Sequence, residues 1–330
     1  MHAPRFWTSP NGRRDWRARV LSPLGATYAH MTARRLQKGP RNRMAVPVIC
    51  VGNINVGGTG KTPTVIAVTE KLRDVFHDPH IVSRGYGGTI INPTEVDPGR
   101  HTAAQTGDEP LLLSAFARTW VAKDRVAGAQ AAIAAGATAI VLDDGFQDPS
   151  LFHDLSLVVV DAETGFGNGY CLPAGPLRER VEKGLRRADI LLSIGSDAAQ
   201  TAFRKNVLPS GLRHISGALT PLQTGMDWTD TPFIAFAGIA RPEKFFETLR
   251  DLGANILRSE DLADHQKLSP ALLSRLETEA RSKGAQLVTT EKDAARLPAT
   301  FRHKVITLPV RLALNDPAEL TEALARLPKP

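Results

Sequence analysis

Between residues 48 and 194, short apolar runs alternate with helical stretches along the chain. Each run is four to six residues long and rich in Val, Ile and Leu, which is typical of strands buried on both faces. The runs lie at Val48–Val51, His80–Ser83, Ala139–Leu142, Leu155–Val160 and Ile190–Ile194. Helices are predicted from Pro63 onward, around Leu111–Phe116 and at Arg125–Ala135. This alternation predicts an α/β fold with a doubly wound, mainly parallel sheet.

A second and shorter series of elements begins near residue 232. We expect strands at Phe233–Ala237, Leu287–Thr290 and Val305–Leu308, and helices at Pro242–Leu252, Pro270–Ser282 and Pro317–Leu327. This series predicts a smaller α/β lobe over residues 232–330, after a larger domain over residues 46–207. Residues 208–231 contain Gly and Pro and are predicted to connect the two.

Residues 1–45 are predicted to form a separate basic, amphipathic segment. Although the whole chain has a net charge of +7, residues 1–47 contain ten Lys or Arg against one acid, so the remainder is slightly acidic. Ser22 followed by Pro23 is typical of a helix start, and Leu24, Tyr28 and Met31 then share one face at helical spacing.

A basic helix with such a face suits an anionic membrane surface, where each cation contributes about 1 kcal/mol. A solvated basic arm, or a helix packed on the body of the protein, fits the same pattern. Nucleic acid also attracts basic segments, but no nucleic-acid-binding module accompanies the charge, so we expect no nucleic-acid partner.

The amino-acid composition is that of a folded protein and argues against several other classes of protein. With 42% hydrophobic and 23% charged residues, the chain has ample core, which excludes wholesale disorder. Two cysteines, Cys50 and Cys171, cannot build a disulfide framework, which favours a reducing compartment. No stretch resembles a membrane span or a secretory signal, so we expect neither.

A glycine-rich loop follows the first predicted strand and precedes a helix. Glycines let backbone N–H groups converge on phosphate oxygens, while Lys reaches the β- and γ-phosphates and Thr binds Mg²⁺. The predicted ATP-binding residues are Asn55, Val56, Gly57, Gly58, Thr59, Gly60, Lys61 and Thr62. The common phosphate-loop pattern has Gly where this chain has Asn55, and a plain glycine-rich turn is the alternative interpretation.

Several acidic residues are candidates for the metal. Asp143 and Asp144 end an apolar strand, which is where a carboxylate for Mg²⁺ is expected in proteins with a phosphate loop. Paired acids at such a position also serve as turn or cap residues. Asp108 and Glu109 open a predicted helix and, taken alone, look like ordinary first-turn acids.

Two features of the second lobe are weak when taken alone. His265 lies in a predicted loop, and a lone loop histidine is more often a surface residue than a catalytic one. The run Thr289–Asp293 is superficially similar to the base-reading motif of GTPases, but its spacing differs, so guanine specificity does not follow.

Taken together, these segments resemble the tetraacyldisaccharide 4′-kinase family of lipid A biosynthesis. The match is carried by the combination and order of its motifs, since unrelated phosphate-loop proteins share only the first of them. The motifs are Gly52-Asn53, Gly57–Pro63, Ser83–Gly87, Gly107–Pro110, Asp143–Gln147, Gly167–Gly169, Leu172–Glu179, Arg187–Asp189, Ala237–Ala240, Asp264-His265 and Thr289–Asp293.

The resemblance implies a two-lobed kinase with a phosphate loop, bound peripherally to the cytoplasmic face of the bacterial inner membrane. Such an enzyme transfers the γ-phosphate of ATP to the 4′-hydroxyl of an acylated glucosamine disaccharide 1-phosphate, giving lipid IVA, with Mg²⁺ as cofactor. The basic N-terminal helix would be its membrane contact. No obligate protein partner is expected.

The resemblance also assigns roles to individual residues. It implies Asp108 as the catalytic base, His265 as its partner from the other lobe, and Lys61 as the phosphate-binding lysine. Thr62, Asp143, Asp144 and Glu109 would surround Mg²⁺, with their division of roles left open. Arg84 and Arg178 would bind the lipid substrate, because a guanidinium can grip its 1-phosphate with two hydrogen bonds.

One segment departs from the family pattern. After Gln147 many members have His followed by basic residues, whereas this chain has Asp148-Pro149-Ser150. The headgroup contact of that histidine would then be lost or made by another residue such as His153, which leaves acyl-chain preference open.

The rival hypothesis is a membrane-recruited ATPase or GTPase switch. Such switches usually carry a second Lys at the position of Val56, and Val cannot replace a lysine that binds phosphate. The sequence therefore favours the kinase.

Overall fold

The computed structural model describes residues 4–8, 15–76, 78–207, 211–264 and 266–329. The helices are α1 (Arg5–Thr8), α2 (Trp16–Lys38), α3 (Lys61–Phe76), α4 (Ala103–Thr106), α5 (Asp108–Leu113), α6 (Arg125–Ala134), α7 (Val181–Leu185), α8 (Asp197–Asn206), α9 (Pro242–Asp251), α10 (Pro270–Ser282), α11 (Glu291–Arg296), α12 (Ala299–Arg302) and α13 (Pro317–Ala325). The strands are β1 (Val48–Gly52), β2 (Pro79–Ser83), β3 (Thr94–Glu95), β4 (Thr119–Val121), β5 (Ala139–Asp143), β6 (Leu155–Asp161), β7 (Ile190–Ile194), β8 (Arg213–Pro221), β9 (Pro232–Ala237), β10 (Asn255–Asp261), β11 (Gln286–Thr290), β12 (Val305–Leu308) and β13 (Val310–Leu314).

Among the described residues, nine strands form the larger sheet, in the order β13-β8-β7-β6-β1-β5-β2-β4-β3. The seven inner strands run parallel, while the edge strands β13 and β3 pair antiparallel with β8 and β4. Strand β1 therefore has parallel neighbours on both sides, β5 and β6. Because parallel strands end at the same edge, the loops after β1, β5 and β6 lie side by side, where open α/β sheets bind ligands.

Helices cover both faces of this sheet, which explains why its central strands β1, β2, β5, β6 and β7 are mostly apolar and buried along their whole length. In β1, Ile49 and Val51 point into the core beneath α3 and α13, whereas Val48 and Cys50 point into the cores of the opposite face. All five residues of β1 are buried. The sequence pattern of short, wholly apolar runs thus has its cause in burial on two sides.

The smaller sheet has the order β10-β9-β11-β12, and its strand pairs are parallel. Helix α10 begins as its sequence predicts, because the Ser269 side chain accepts a hydrogen bond from the Leu272 N–H and Pro270 occupies the first helical position. Strand β10 was not predicted, since its polar and charged residues, which include Arg258 and Glu260, lie at an edge of the sheet and leave no apolar run.

The structure differs from the predicted domain boundaries in two places. Residues 208–231 are not only a connection, because Arg213–Pro221 form β8 within the larger sheet. The end of the chain also returns to that sheet, where Val310–Leu314 pair antiparallel with β8. Helix α13 then buries Leu320 and Leu324 in the core beneath α3, so residues 310–329 pack on the larger lobe.

Helix α2 begins earlier than the sequence prediction placed it. Its N-cap is Asp15, whose carboxylate accepts from the Arg17 N–H, and Pro23 lies inside the helix. The prediction of Ser22 as the cap was wrong, because a proline that resembles a first-position residue is accommodated about two turns into a longer helix. The Ser22 hydroxyl instead donates to the Arg19 carbonyl.

The two faces of α2 have different surroundings. One face is buried against the larger lobe through small residues, and an added Cβ at Gly25 would lie 2.7 Å from the Cys171 carbonyl oxygen. The face turned away from the protein carries exposed large apolar side chains: Trp16, Val20, Leu24, Tyr28 and Met31. Within the described part of the chain, no helix is both long and apolar enough to cross a membrane.

Candidate active site

The glycine-rich loop between β1 and α3 has the backbone of a phosphate-binding loop. Gly57 and Gly60 have φ angles of 113° and 92°, which side chains with a Cβ rarely adopt. At Gly60 an added Cβ would also lie 2.6 Å from Ile194 Cδ1. A buried side-chain hydrogen bond supports the loop: Asn53 Nδ2 donates to Thr59 Oγ1 at 3.1 Å. Helix α3 starts directly afterwards at Lys61, so its N-terminus faces the same space.

The structure explains how the loop accommodates Asn55 in place of glycine. The Asn55 side chain is buried, and its Nδ2 donates to the Gly165 carbonyl at 2.9 Å. Next to it, the Val56 N–H donates to the Pro176 carbonyl. Asn55 therefore anchors the start of the loop to the segment that follows β6, and the Val56 side chain stays partly exposed.

Lys61 and Asp144 meet where strands β1 and β5 end. Lys61 Nζ lies 3.9 Å from Asp144 Oδ1, and Arg178 Nη1 contacts both Asp144 carboxylate oxygens at 2.8 and 2.9 Å. Burial alone would raise the pKa of Asp144, but Lys61 and Arg178 hold the pKa below its ordinary value. Asp144 is therefore a carboxylate that stays ionised beside the phosphate loop.

Asp143, unlike Asp144, is surrounded mainly by negative charge. Its Oδ2 accepts from Ser83 Oγ at 3.0 Å, while its buried Oδ1 has no hydrogen-bond partner among the described residues. Burial, together with the negative charges of Glu109 and Asp144, raises the pKa of Asp143 to about 7. Neighbouring carboxylates with pKa values pushed apart are typical of sites that bind metals or move protons.

The acidic residues fit Mg²⁺ in chemistry. The orphaned Oδ1 of Asp143 lies in the field of Glu109 and Asp144, and a divalent cation would relieve the repulsion among the three. The described residues contain no group of three or more His, Cys, Asp or Glu side chains close enough to hold a metal unaided. Mg²⁺ does not require one, because it usually takes one or two carboxylates, with substrate phosphates and water completing its shell.

The smaller lobe contributes cations to the acids at the start of α5. Lys292 Nζ of α11 lies 3.4 Å from Glu109 Oε1, and Arg296 Nε lies 3.5 Å from Asp108 Oδ2. Lys292 Nζ also lies 3.7 Å from Asp264 Oδ1. The acids of α5 therefore lie at the contact between the lobes.

The lobes also meet on the other side of the phosphate loop. A Cβ added at Gly58 would lie 3.1 Å from Ala240 Cβ. Beyond this contact, two cations, the N-cap residue of α9 and a residue of its first turn, reach two acids, the last residue of β6 and the residue two positions after it. We call this group the lobe clamp, and its members are Arg241, Lys244, Asp161 and Glu163.

The remaining predicted site residues have mixed surroundings. Thr62 lies half-buried in the first turn of α3. The Arg84 side chain is exposed after β2, whereas Arg178 lies against Asp144 and Gln147. His265 lies outside the described residues, so its assignment as the partner of Asp108 stays a prediction.

The suggestion that His153 replaces the missing family histidine does not fit the structure. His153 Nε2 is buried without a partner among the described residues, and burial lowers the pKa of its imidazole to about 4. It is thus a neutral side chain inside the protein. Asp148 instead forms an ion pair with the buried Arg125.

Four residues around the site were missed or given no role from the sequence. Ser83 and Gln147 belong to two of the family motifs. Ser83 ends β2 and Gln147 follows β5, so both lie where strands end at the site, which was the available signal. Gln147 Nε2 donates to the Asn53 carbonyl at 2.8 Å and so ties the segment after β5 to the phosphate loop. Lys292 lies within the motif Thr289–Asp293 and Arg296 follows it, but neither was given a role, because the acids of α5 that they meet lie more than 180 residues away along the chain.

Comparisons with known proteins agree over nearly the whole chain. The family model described as tetraacyldisaccharide-1-P 4′-kinase matches residues 17–329. The tetraacyldisaccharide 4′-kinase of Dinoroseobacter shibae is 59% identical over 329 residues, covering 99% of this chain and 98% of that protein. The enzyme of the same name from Jannaschia sp. is 55% identical, with 99% of each chain covered.

A solved structure matches as well. The crystal structure of LpxK from Aquifex aeolicus in complex with ATP superposes with a TM-score of 0.76 at 25% sequence identity, covering 94% of this chain and 98% of that one. The predicted α/β fold class is confirmed, as are the resemblance drawn from the motifs and the assignment as a kinase. The chain belongs to the tetraacyldisaccharide-1-P 4′-kinase family and is a phosphotransferase with an alcohol acceptor.

Proposed function

We propose that this protein transfers the γ-phosphate of ATP to the 4′-hydroxyl of a tetraacylated glucosamine disaccharide 1-phosphate, at the cytoplasmic face of the inner membrane. The observation that carries the proposal is the meeting of Lys61 with Asp144 at the ends of neighbouring parallel strands, directly beside a glycine-rich loop. That arrangement suits the binding of a triphosphate. The lipid is proposed as the acceptor because the chain belongs to a family of tetraacyldisaccharide 4′-kinases.

In this mechanism the loop and Lys61 hold the phosphates. Backbone N–H groups of residues 57–60 and the N-terminus of α3 face the β- and γ-phosphates, and Lys61 neutralises charge that builds up on the transferred group. Asp143, Asp144, Thr62 and Glu109 would hold Mg²⁺, which when bound supplies further charge stabilisation to the phosphates. Binding of nucleotide would draw Lys61 away from Asp144, because phosphate oxygens compete for the same ammonium group.

Asp108 would accept the proton of the 4′-hydroxyl. A sugar alcohol is a poor nucleophile, so transfer benefits from a carboxylate placed beside it. Asp108 opens α5 and has only a 12% exposed side chain, with Arg296 of the other lobe nearby. His265 stays proposed as its partner, and Arg84 as a ligand of the substrate 1-phosphate. Arg178, held by Asp144, would bind that phosphate only after exchanging partners.

The exposed stripe of α2 would lie in the membrane interface. The five apolar side chains recur at helical spacing on the face opposite the buried one, and Arg34, Arg35 and Lys38 follow them at the end of the helix. Apolar contact and attraction to anionic lipid act together in such helices. Arg35 also donates to the Gln147 carbonyl at 3.3 Å, so this helix and the segment after β5 are neighbours.

A transfer assay tests the proposal. The full chain is incubated with γ-labelled ATP, Mg²⁺ and a tetraacyldisaccharide 1-phosphate in detergent micelles, and lipid and free phosphate are separated. We expect label in the lipid, and loss of that label in Lys61→Met. The matched control is Lys71→Met, on the same helix but with its Nζ near Thr321 and away from the loop.

The same assay addresses the rival hypothesis. A membrane-recruited ATPase switch would release the label as free phosphate whether or not the lipid is present. If label appears only in free phosphate and Lys61→Met releases none, the glycine-rich loop binds ATP as proposed. The proposal that a lipid accepts the phosphate would then be refuted.

A further inference from the structure

We propose that Arg125 and Asp148 form a positioning pair, which fixes the backbone of Asp143 and Asp144 so that their carboxylates can receive the metal–nucleotide complex. The proposal rests on the proposed function, since it gives the two acids their role. Neither residue was a predicted site residue, and neither needs to touch substrate.

The Arg125 guanidinium bridges two parts of the chain. Arg125 is the first residue of α6 and is only 5% exposed. Its Nη1 donates to Asp148 Oδ2 at 2.8 Å, and its Nη2 donates to the Asp144 carbonyl at 2.8 Å, with the Asp143 carbonyl at 3.4 Å. One side chain therefore contacts the backbone of both proposed metal-binding acids.

The backbone at Asp144 has a conformation that needs such support. Its φ of 52° lies in the left-handed region, which costs a residue with a Cβ about 1–2 kcal/mol. The Asp144 N–H is bonded to the Val51 carbonyl, and its own carbonyl is bonded to Arg125. The peptide groups on both sides of Asp144 are thereby fixed, and its side chain is directed toward Lys61 and Arg178.

Asp148 keeps the guanidinium in place. A buried cation is costly unless it is paired and hydrogen-bonded, and Asp148 supplies the carboxylate. The Asp148 side chain is itself held, because its Oδ1 accepts from the Ser150 N–H at 3.0 Å and its own N–H donates to the Gly145 carbonyl. Burial would raise the pKa of Asp148, but the hydrogen bonds from Ser150 and the Arg125 charge lower it. The pair thus stays charged.

This arrangement gives a structural role to Asp148, which stands where many family members have histidine. Asp148 lies four residues after Asp144 and faces inward to Arg125. A neutral side chain at 148 would leave a buried guanidinium without its anion, and the guanidinium would then move away from the two carbonyls.

The test measures metal affinity separately from stability and turnover. Mn²⁺ is titrated by electron paramagnetic resonance into the full chain saturated with ADP, and Tm is recorded without metal. We expect Arg125→Lys to weaken Mn²⁺ binding roughly tenfold, a size typical of losses around metal ligands, because an ammonium group cannot fork to a carboxylate and two carbonyls. Asp148→Asn is expected to act in the same direction, and Asp148→Glu to restore part of the affinity.

A matched control lies outside the site. Arg118 also divides its guanidinium between a carboxylate, that of Glu95, and a backbone carbonyl, that of Ala135. Arg118→Lys should leave the Mn²⁺ affinity unchanged.

A wild-type Mn²⁺ affinity in both Arg125→Lys and Asp148→Asn would overturn the proposal. The proposal would also be overturned if Tm fell without a change in Mn²⁺ affinity, or if both variants failed to fold. Either result would mean that the pair only stabilises the fold. If the wild-type chain binds Mn²⁺ and ADP but does not phosphorylate the lipid, the proposed function fails while the pair is still tested by the titration.

Discussion

Arg296 Nε lies 3.5 Å from Asp108 Oδ2, although the two residues belong to different lobes and are 188 positions apart. Both side chains are largely buried, with 7% and 12% of their surfaces exposed. The proposed catalytic base is thus held beside a fixed positive charge contributed by the other lobe. The position of the smaller lobe therefore determines which cation stands beside the proposed base.

Asp108→Asn is expected to lower kcat about 10²- to 10⁴-fold while leaving the KM for ATP near its wild-type value, because the amide cannot accept the hydroxyl proton. Turnover in the lipid-labelling assay measures this. Asp97→Asn, in an exposed loop, is the control. Combining Asp108→Asn with His265→Ala should cost less than the two single losses multiplied, since residues that act as a unit are not additive. Fully multiplicative losses would contradict a pair.

Asp143 should make the stability of the ligand-free protein depend on pH. Its pKa in the folded protein is about 7, above the ordinary value of 3.8, so the folded state holds a proton that the unfolded state has released. The stability that this proton provides is complete below about pH 4 and is lost as pH rises through 7.

Asp143→Asn removes that dependence, so we expect the Tm of the variant to exceed that of the wild type at pH 8. At pH 4 the advantage should vanish. Thermal unfolding at both pH values is the measurement, and an equal Tm difference at the two would contradict the raised pKa. Turnover should be lost in the same variant, since an amide is a poor ligand for Mg²⁺.

The lobe clamp should affect catalysis more than stability. Arg241 Nη1 and Lys244 Nζ lie 2.7 and 2.9 Å from Asp161 Oδ2, and both cations also contact Glu163. The Arg241 and Lys244 side chains are each 36% exposed, whereas Asp161 is 11% exposed; solvent therefore screens each pair, which contributes only ~0–1 kcal/mol to folding.

Neutralising the clamp with Asp161→Asn and Glu163→Gln is expected to lower kcat/KM severalfold with little change in Tm. Because exposed charges are screened above about 0.15 M ionic strength, high salt should lower wild-type kcat/KM toward the variant value and change the variant less. The measurement is kcat/KM at low and high KCl. The exposed pair of Glu277 with Lys304, within the smaller lobe, provides the control in Glu277→Gln. Equal salt responses in wild type and variant would argue against the clamp.

The apolar stripe of α2 should control membrane binding. Val20→Ser combined with Leu24→Ser and Met31→Ser removes apolar surface from the exposed face and leaves the buried face intact. We expect these changes to shift most of the protein from the pellet to the supernatant when it is sedimented with anionic vesicles, because apolar contact contributes about 25 cal/mol per Å².

The matched control for the stripe is His30→Ser, which changes an exposed position of the same helix outside the stripe. An unchanged pelleted fraction in the triple variant would contradict membrane binding through this face. Far-UV circular dichroism checks that the helix persists in both.

The sequence predicted the local features of this protein because they depend on near neighbours. The central strands β1, β2, β5, β6 and β7 could be located because burial on both faces demands unbroken apolar runs, whereas the short β4 and the partly exposed β8 were not predicted; α10 could be located because Ser269 and Pro270 mark its start. Prediction failed where a local signal has two meanings: Pro23 resembles a first-turn proline but lies inside α2. Strand β10 was not predicted because an edge strand can be polar and then lacks an apolar run.

The glycine-rich loop, the acids at the end of β5 and the family could be recognised from the chain alone, since glycine spacing and motif order are local properties. Which cation meets which carboxylate depends on the fold: Arg178 with Asp144, Lys292 with Glu109, and Arg125 with Asp148. A hydrogen bond or ion pair acts over about 3–4 Å, whereas Lys292 and Glu109 are 183 residues apart along the chain. Such partners become neighbours only when parallel strands end at one edge and the smaller lobe closes over it.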